Sequence, residues 1–347
     1  MRITEDTVKP KALSLLPRLH QYLDPVGFLL FAPAVLQLLL ALQFGGQTYP
    51  WKSAQVIGLL CGAAGTAVAW YFWNRYRGDD AMMPRRMIGQ WNVLASGLYT
   101  ALLSSALYAG VYYLPLYFQA VNDASAMSSA VYLLPMIIAQ LIAAGIAGAA
   151  VGKIGYVIPV AIFSTVFLSL GTGLYSLLHP GSQSGKWIGY QILGGVGSGA
   201  GLQLAIIAVQ AAMDGEELTS GVAFVVFSQA MGPTIAMALY NIIFLESLRT
   251  QVSQHVPNVS PAAITQSGAT GFRSFVSPAD LPRVLVAYAN SIDRVFYLAA
   301  AFAVLNGVFL WGMGWNDVRK KQGDDDAVPK DKATDARSPA EQGEKAV

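Results

Sequence analysis

Residues 126–149 read AMSSAVYLLPMIIAQLIAAGIAGA, a run of 24 residues without a charged side chain. About 20 mostly apolar residues are enough for one helix to cross the roughly 30 Å hydrocarbon core of a bilayer. A spanning segment must satisfy its backbone polar groups within itself or in a closed barrel. Barrel strands alternate in polarity over about ten residues, whereas this run is continuous and much longer. The stretch therefore predicts a transmembrane helix and sets the fold class.

Seven further stretches are of the same kind, each bounded by charge, proline or a polar turn. With the first they give eight predicted spans: 25–44, 54–73, 93–118, 126–149, 156–178, 187–211, 218–245 and 295–314. The composition agrees, since 54% of the residues are hydrophobic and only 12% are charged, against about 25% charged in soluble domains. We therefore predict an all-α polytopic membrane protein with about eight transmembrane helices and the lipid bilayer as its surroundings.

The basic residues predict the orientation of these spans. Sixteen of the 22 Lys and Arg residues fall on the side that holds both termini, and the side rich in basic residues is cytoplasmic. The acidic residues are expected outside the hydrocarbon core, with Asp24, Glu246 and Asp293 at its edges. The predicted parts are a cytoplasmic segment 1–24, an extra transmembrane pair 25–73, a six-helix unit 92–314 with an exoplasmic loop 247–292, and a disordered cytoplasmic tail 315–347.

The sequence favours a protein without catalytic chemistry. Its net charge of +2 implies no nucleic-acid partner, and the three histidines at 20, 179 and 255 show no metal-ligand spacing. Nucleotide-binding and nucleophile motifs do not occur. We predict no catalytic residue, no metal and no cofactor. The predicted exoplasmic loop does contain Asn258-Val259-Ser260, an acceptor pattern for N-glycosylation.

Glycine is concentrated in the sixth predicted span, where residues 194–201 read GGVGSGAG. Gly195 and Gly199 are four residues apart, as are Gly197 and Gly201. Small residues at this spacing let two helix backbones approach closely. The density predicts close helix contacts on more than one side, and the alternative is a helix that slides against its neighbour during transport.

Uncharged polar and aromatic side chains within the spans are candidates for a substrate path. Gln203 and Gln210 are seven residues apart, so they share a helix face, and this face is expected to point into the bundle. The alternatives are hydrogen bonding between helices for the amides and an interfacial aromatic belt for the tyrosines. The candidates are Tyr113, Tyr117, Gln140, Gln203, Gln210, Gln229 and Asn241.

Several stretches resemble one family of transporters. The segment LDPVGF at 23–28 is similar to the start of the seventh helix in fungal drug:proton antiporters of the fourteen-helix type, within the major facilitator superfamily. YLPLYFQ at 113–119 resembles the end of their ninth helix, and GAAVGKIGY at 148–156 their cytoplasmic loop after helix ten. Residues 197–210 and 227–232 resemble helices twelve and thirteen. The resemblance covers about residues 20–320.

This resemblance implies proton-coupled efflux of hydrophobic small molecules, such as toxins, drugs or secondary metabolites, across the plasma membrane or a vacuolar membrane. It also implies a truncated member, because eight helices match the extra pair and the C-terminal half and leave the N-terminal six helices without a counterpart. A major facilitator site lies between two six-helix halves. The alternatives are therefore a membrane protein that does not transport, and a half-transporter that acts only as a homodimer or other oligomer.

Overall fold

A computed structural model describes residues 24–46, 48–213, 215–257 and 259–319 of the chain. Helices make up 82% of the structure. Eight of them in the described ranges are long and apolar enough to cross a membrane, which confirms the prediction of an all-α polytopic fold. The predictions for segment 1–23, for Asn258 and for the tail from residue 320 lie outside the described residues.

The helices are numbered here in chain order. They are α1 (Pro25–Phe44), α2 (Ala54–Arg77), α3 (Arg85–Ile88), α4 (Trp91–Ala120), α5 (Ala126–Val131), α6 (Leu134–Ile154), α7 (Ile158–Tyr175), α8 (Ser184–Gly201), α9 (Leu204–Ala212), α10 (Gly215–His255), α11 (Pro261–Gln266), α12 (Gly268–Gly271) and α13 (Leu281–Phe309). Short 3-10 turns follow α2, α12 and α13. The fourth and sixth predicted spans are each divided in two, as α5–α6 and α8–α9.

The six-helix unit is built around α4. This helix has the largest buried share of all the spans, and it packs against α10 and α13. Helix α8 packs against α6 on one side and α7 on the other, and α13 joins α7 to α4. Two hydrophobic cores result, one at each end of α4. Tyr99 and Leu103 belong to the first, and Tyr117 and Phe118 to the second.

Asp24 fixes the start of the α1–α2 pair. Its carboxylate accepts hydrogen bonds from the Gly27 backbone N–H at 2.9 Å, from Trp73 Nε1 at 2.9 Å and from the Met82 backbone N–H at 3.2 Å. The first bond caps α1, while the other two tie that cap to the end of α2 and the turn beyond it. One carboxylate thus holds both helices of the pair at the same end.

The pair docks on α10 through α1. The rings of Phe31 and Phe227 lie 5.6 Å apart between their centroids. At the other end of α1, Arg249 Nη1 donates to the carbonyl oxygen of Gly46 at 2.7 Å. Among the described helices, α2 packs mainly on α1, and its outward face is exposed.

Much of the predicted exoplasmic loop 247–292 is helical. Helix α10 continues to His255, and α13 begins at Leu281. At 41 residues, α10 is about 60 Å long, roughly twice the thickness of the hydrocarbon core. Charged residues end an apolar run without ending a helix, and buried Val252 and Val284 keep these extensions packed in the second core.

Residues 256–280 close this end of the bundle, which we call the capped end. Ile264 and Phe272 are fully buried there. Arg273 Nη2 donates to the carbonyl oxygen of Ala120 at 2.9 Å, at the C-terminus of α4, and Arg273 Nε lies 3.1 Å from a carboxylate oxygen of Asp123. The guanidinium therefore satisfies a helix-end carbonyl that has no partner within its helix.

Asp293 is buried, which the hydropathy of the sequence did not indicate. The sequence analysis placed it at the edge of the last span, outside the hydrocarbon core. In the structure it lies within α13, in a span that runs from Leu281 to Met313, and it is 7% exposed. The helix begins 14 residues earlier than the apolar run at 295–314 indicated, so the carboxylate lies inside the bundle.

Candidate functional site

The glycines of α8 allow two neighbours to reach its backbone. A side-chain carbon added at Gly195 would meet the backbone oxygen of Met136, and one added at Gly199 would meet that of Gln140. Both contacts are on α6. Helix α8 can approach α6 this closely only because these two positions carry no side chain.

The other two predicted packing glycines face different neighbours. An added carbon at Gly197 would meet the backbone of Leu168 on α7, and one at Gly201 the side chains of Leu103 and Ser164. The Ser164 hydroxyl also donates to the carbonyl oxygen of Gly197 at 2.7 Å. Alternate glycines therefore lie at contacts on opposite sides of α8. Its close packing against α6 and α7 depends on the absence of side chains at these positions.

A groove of about 660 Å³ lies where α6 and α7 meet α8. Only Ala, Ile, Val, Phe and Pro side chains line it, Ile142 and Phe163 among them. Sites for small molecules usually combine an apolar wall with a few polar groups that fix orientation. The groove suits a hydrocarbon chain, but its walls offer nothing that would orient a ligand.

Helix α9 carries a different surface. Gln203, Ile206, Ile207 and Gln210 have the spacing of one helix face, and we call them the α9 stripe. Gln203 and Gln210 are exposed, and the two isoleucines between them are half-buried. The amides are about 10 Å apart along the helix axis. The stripe thus offers two polar ends separated by an apolar middle.

Within the described helices of this chain the two glutamines are exposed, and their orientation toward a bundle interior stays a prediction. Leu204, Ala205 and Val209 occupy the inward face of α9, which packs against α4 and α10. A polar amide is costly to place against lipid tails. The stripe is therefore a surface that fits a polar path or another protein surface better than it fits lipid.

The structure does not bring the other amide candidates together. Gln140, Gln229 and Asn241 are all half-buried. Gln140 lies at the α6–α8 contact, and Gln229 is near Phe227, where α1 docks. Asn241 follows Tyr240, whose hydroxyl donates to the Ser105 carbonyl at 3.0 Å. They lie on three different segments of the bundle, and their place in a substrate path stays a prediction.

The two candidate tyrosines lie in the second core. Tyr113 and Tyr117 are 2% and 1% exposed, so neither belongs to an interfacial belt. The Tyr113 ring makes edge contacts with Tyr240 and Phe244. The Tyr117 hydroxyl donates to the carbonyl oxygen of His179 at 2.7 Å. Ligand contact at either ring would require these helices to separate.

Several buried polar groups were not among the predicted site residues. The hydroxyl oxygens of Thr100 and Ser104, one turn apart on α4, have no hydrogen-bond partner among the described residues, and neither do the side-chain oxygen and nitrogen of Gln191 on α8. The four-residue spacing of Thr100 and Ser104 indicated that the two hydroxyls share one face of α4. Asp293, a further buried polar group, had no such indication, because hydropathy placed it outside the span. Within the described ranges, His, Cys, Asp and Glu side chains form no group of three or more that could hold a metal ion.

The sequence of this chain is similar to the sequences of fungal transporters. The chain is 44% identical over 319 residues to the MFS-type transporter pigP of Monascus ruber, which covers 92% of this chain and 56% of that protein. It is 42% identical to the efflux pump mlcE of Penicillium citrinum, over 88% of this chain and 56% of the pump. It is 36% identical to the MFS acetylaranotin efflux transporter ataA of Aspergillus terreus, over 84% and 65% respectively.

The chain therefore spans a little over half the length of the curated relatives it matches. No protein-family model matches it. The relatives are named as transporters and efflux pumps, and none of the three as an enzyme. These names agree with the prediction that the chain has no catalytic function.

Proposed function

The chain belongs to the MFS-type transporters and efflux pumps of fungi, and on that basis we propose that it forms one wall of an efflux transporter. Its cargo is a hydrophobic small molecule of the secondary-metabolite, toxin or drug class. The proposal is supported by identity of up to 44% along nearly the whole chain to proteins named as an MFS-type transporter and an efflux pump, and by similarity to a protein named as an acetylaranotin efflux transporter.

The observation that carries the proposal is the α9 stripe. Its two amides are exposed and its two isoleucines half-buried, and it lies on a membrane-spanning segment. A substrate with an apolar body and polar ends would fit this surface, because the isoleucines would contact the body and the amides would form hydrogen bonds with the ends. The groove between α6 and α7 lacks such polar groups, which is why we place the substrate at α9.

Domain organisation follows from the same proposal. The pair 25–73 is an addition, and the unit 92–314 provides one six-helix half. A major facilitator site lies between two halves, so the opposite wall comes from a second six-helix unit. A second copy of this chain is the alternative source of that wall, in which case the protein acts as a homodimer.

We further propose a plasma-membrane protein with both termini in the cytoplasm and protons as the coupling ion. The orientation is supported by the excess of basic residues on the side of the termini. The capped end, with residues 256–280, is then exoplasmic. A vacuolar membrane is the alternative location and would preserve the same orientation toward the cytosol.

Transport in vesicles tests the function and the stripe together. Where a second copy supplies the opposite wall, we expect the reconstituted chain to move a lipophilic fluorescent dye, and the double substitution Gln203→Leu, Gln210→Leu to slow this movement. Each lost amide contact is worth about 1 kcal/mol, so both together should reduce the rate about tenfold or more. Dye movement indistinguishable from that of empty vesicles would contradict transport by this chain.

A matched control separates the stripe from a general effect on the membrane surface. Gln43 is an exposed glutamine on α1, away from α9, and Gln43→Leu makes the same chemical change there. We expect this variant to transport at the wild-type rate. Equal slowing by Gln43→Leu would argue against a specific role of the α9 stripe.

A further inference from the structure

Asp293 is a carboxylate enclosed by membrane-spanning helices. It lies in α13 and is 7% exposed, and its neighbours in sequence, Ile292 and Val295, are buried with it. An ionisable residue within a spanning segment is costly and is usually kept for function. The question is therefore what this carboxylate binds.

The surroundings of Asp293 are polar on one side only. Tyr117 of α4 lies near Asp293, and the Ser182 hydroxyl accepts a hydrogen bond from the His179 backbone N–H at 2.9 Å. The Tyr117 hydroxyl donates to the His179 carbonyl at 2.7 Å. Asp293 thus lies near the loop between α7 and α8 and level with the last turn of α4. Both are at the capped end of the bundle.

No cation neutralises this carboxylate in the described part of the chain. Asp293 takes part in none of the salt bridges found there, and the nearest cation in sequence, Arg294, is exposed. A buried carboxylate without an ion-pair partner is stabilised by a proton, because the neutral form avoids the cost of burying a charge.

The charged groups that the structure describes on the helices packed against α13 have other partners. On α10, Glu246 and Arg249 pair with each other at 3.9 Å. Glu217 accepts a hydrogen bond from Gln90 Nε2 at 3.2 Å, and His255 Nδ1 lies 2.9 Å from the Gln251 carbonyl oxygen. Beside α4, Arg273 pairs with Asp123 at 3.1 Å. Helix α7 carries no charged residue, and its one titratable group is Tyr175, whose ring packs on Phe296. The 3-10 turn Leu310–Met313 carries none.

We propose that Asp293 is the proton-binding residue of the transport cycle, loaded from the side of the membrane that the capped end faces. This inference rests on the proposed function. When α4 and α13 separate at Tyr117, water reaches the carboxylate and a proton from that water binds one carboxylate oxygen. Closure of the helices keeps the neutral acid, and the next opening toward water returns the proton to solution. No other bond forms or breaks.

Infrared spectroscopy of the full chain in vesicles tests this assignment without requiring transport. A pH titration should show one protonated-carboxyl band at the frequency of an acid in apolar surroundings. The band should be absent from Asp293→Asn and retained in Asp79→Asn, which removes an exposed carboxylate at the opposite end of the bundle. A wild-type spectrum without this band, or an Asp293→Asn spectrum that keeps it, would overturn the proposal.

Dye transport distinguishes a failure of this proposal from a failure of the function. We expect Asp293→Asn to lower the dye movement driven by a pH gradient at least tenfold, while Asp79→Asn moves dye at the wild-type rate. Asp293→Glu, which keeps a carboxyl group, should restore the gradient response. Gradient-driven movement unaffected by Asp293→Asn would refute the proton site and leave the transporter intact. If no variant or wild type moves dye, the function fails and the infrared band still decides the assignment.

Discussion

Single glycines decide how closely the helices of the six-helix unit approach. At Gly199 an added methyl group would meet the backbone of Gln140, which a rotamer change cannot move away. We expect Gly199→Ala to lower the free energy of unfolding by about 1–3 kcal/mol, the usual cost of overpacking. Thermal unfolding in detergent, followed by size-exclusion chromatography, measures the change.

Gly148 offers a matched control on α6. An added carbon at this position meets nothing within 4 Å, and alanine is a better helix former than glycine by up to about 1 kcal/mol. Gly148→Ala should therefore be neutral or slightly stabilising. If Gly199→Ala and Gly148→Ala unfold at the same temperature, the close contact between α8 and α6 is not what holds these helices together.

At the scale of elements, the α1–α2 pair depends on the carboxylate of Asp24. Partial burial by itself would raise the pKa of Asp24, but hydrogen bonds from Trp73, Gly27 and Met82 and the charge of Arg77 together lower it below its ordinary value. A carboxyl whose pKa is lowered on folding stabilises the folded state above its unfolded pKa, about 3.9, and loses that contribution as pH falls through the folded pKa.

We therefore expect Asp24→Ala to cost about 1–2 kcal/mol near neutral pH, the size of a lost helix cap. The difference from wild type should persist down to about pH 4 and shrink on further acidification. Thermal unfolding at a series of pH values measures it. Asp80→Ala removes an exposed carboxylate just beyond α2 and should change little, and an equal effect of the two substitutions would exclude a specific role of Asp24.

For the whole molecule, the orientation of the bundle makes Asn258 a test site. If the capped end is exoplasmic, Asn258 is accessible to the glycosylation machinery. In a eukaryotic host, glycosidase treatment should then increase the electrophoretic mobility of the wild type but not of Asn258→Gln.

The opposite side of the membrane provides the control. Lys332→Asn creates an acceptor pattern with Thr334 in the tail, which the orientation places in the cytoplasm. When combined with Asn258→Gln, it should stay unmodified. A glycan on the tail acceptor and none on Asn258 would show that the orientation is the reverse of the one proposed.

The fold class and the family could both be predicted from the sequence, and both are confirmed. Hydropathy is a local property, so the runs at 25–44 and 126–149 indicated spans without knowledge of their neighbours. The helix ends were less predictable where a helix leaves the membrane. The continuation of α10 past Leu245 depends on Val252 packing in the second core, and no apolar run marks it.

The candidate site, too, could be predicted from the sequence only in part. The seven-residue spacing of Gln203 and Gln210 predicted a shared face, but not which way that face points. Its direction depends on the packing of α9 against α4 and α10. In the same way, the sequence identified Tyr113 and Tyr117 as notable, and only the structure shows that both lie in a closed core.

The sequence by itself determined that this protein lies in lipid, that it is helical, and that it resembles efflux transporters, because the bilayer requires long apolar segments with internally satisfied backbones. Only the tertiary structure decided which neighbours the glycines of α8 contact, that the α9 stripe is exposed, and that Asp293 is enclosed. Those facts depend on contacts between helices far apart in the chain, and residue spacing within one helix does not specify its partners.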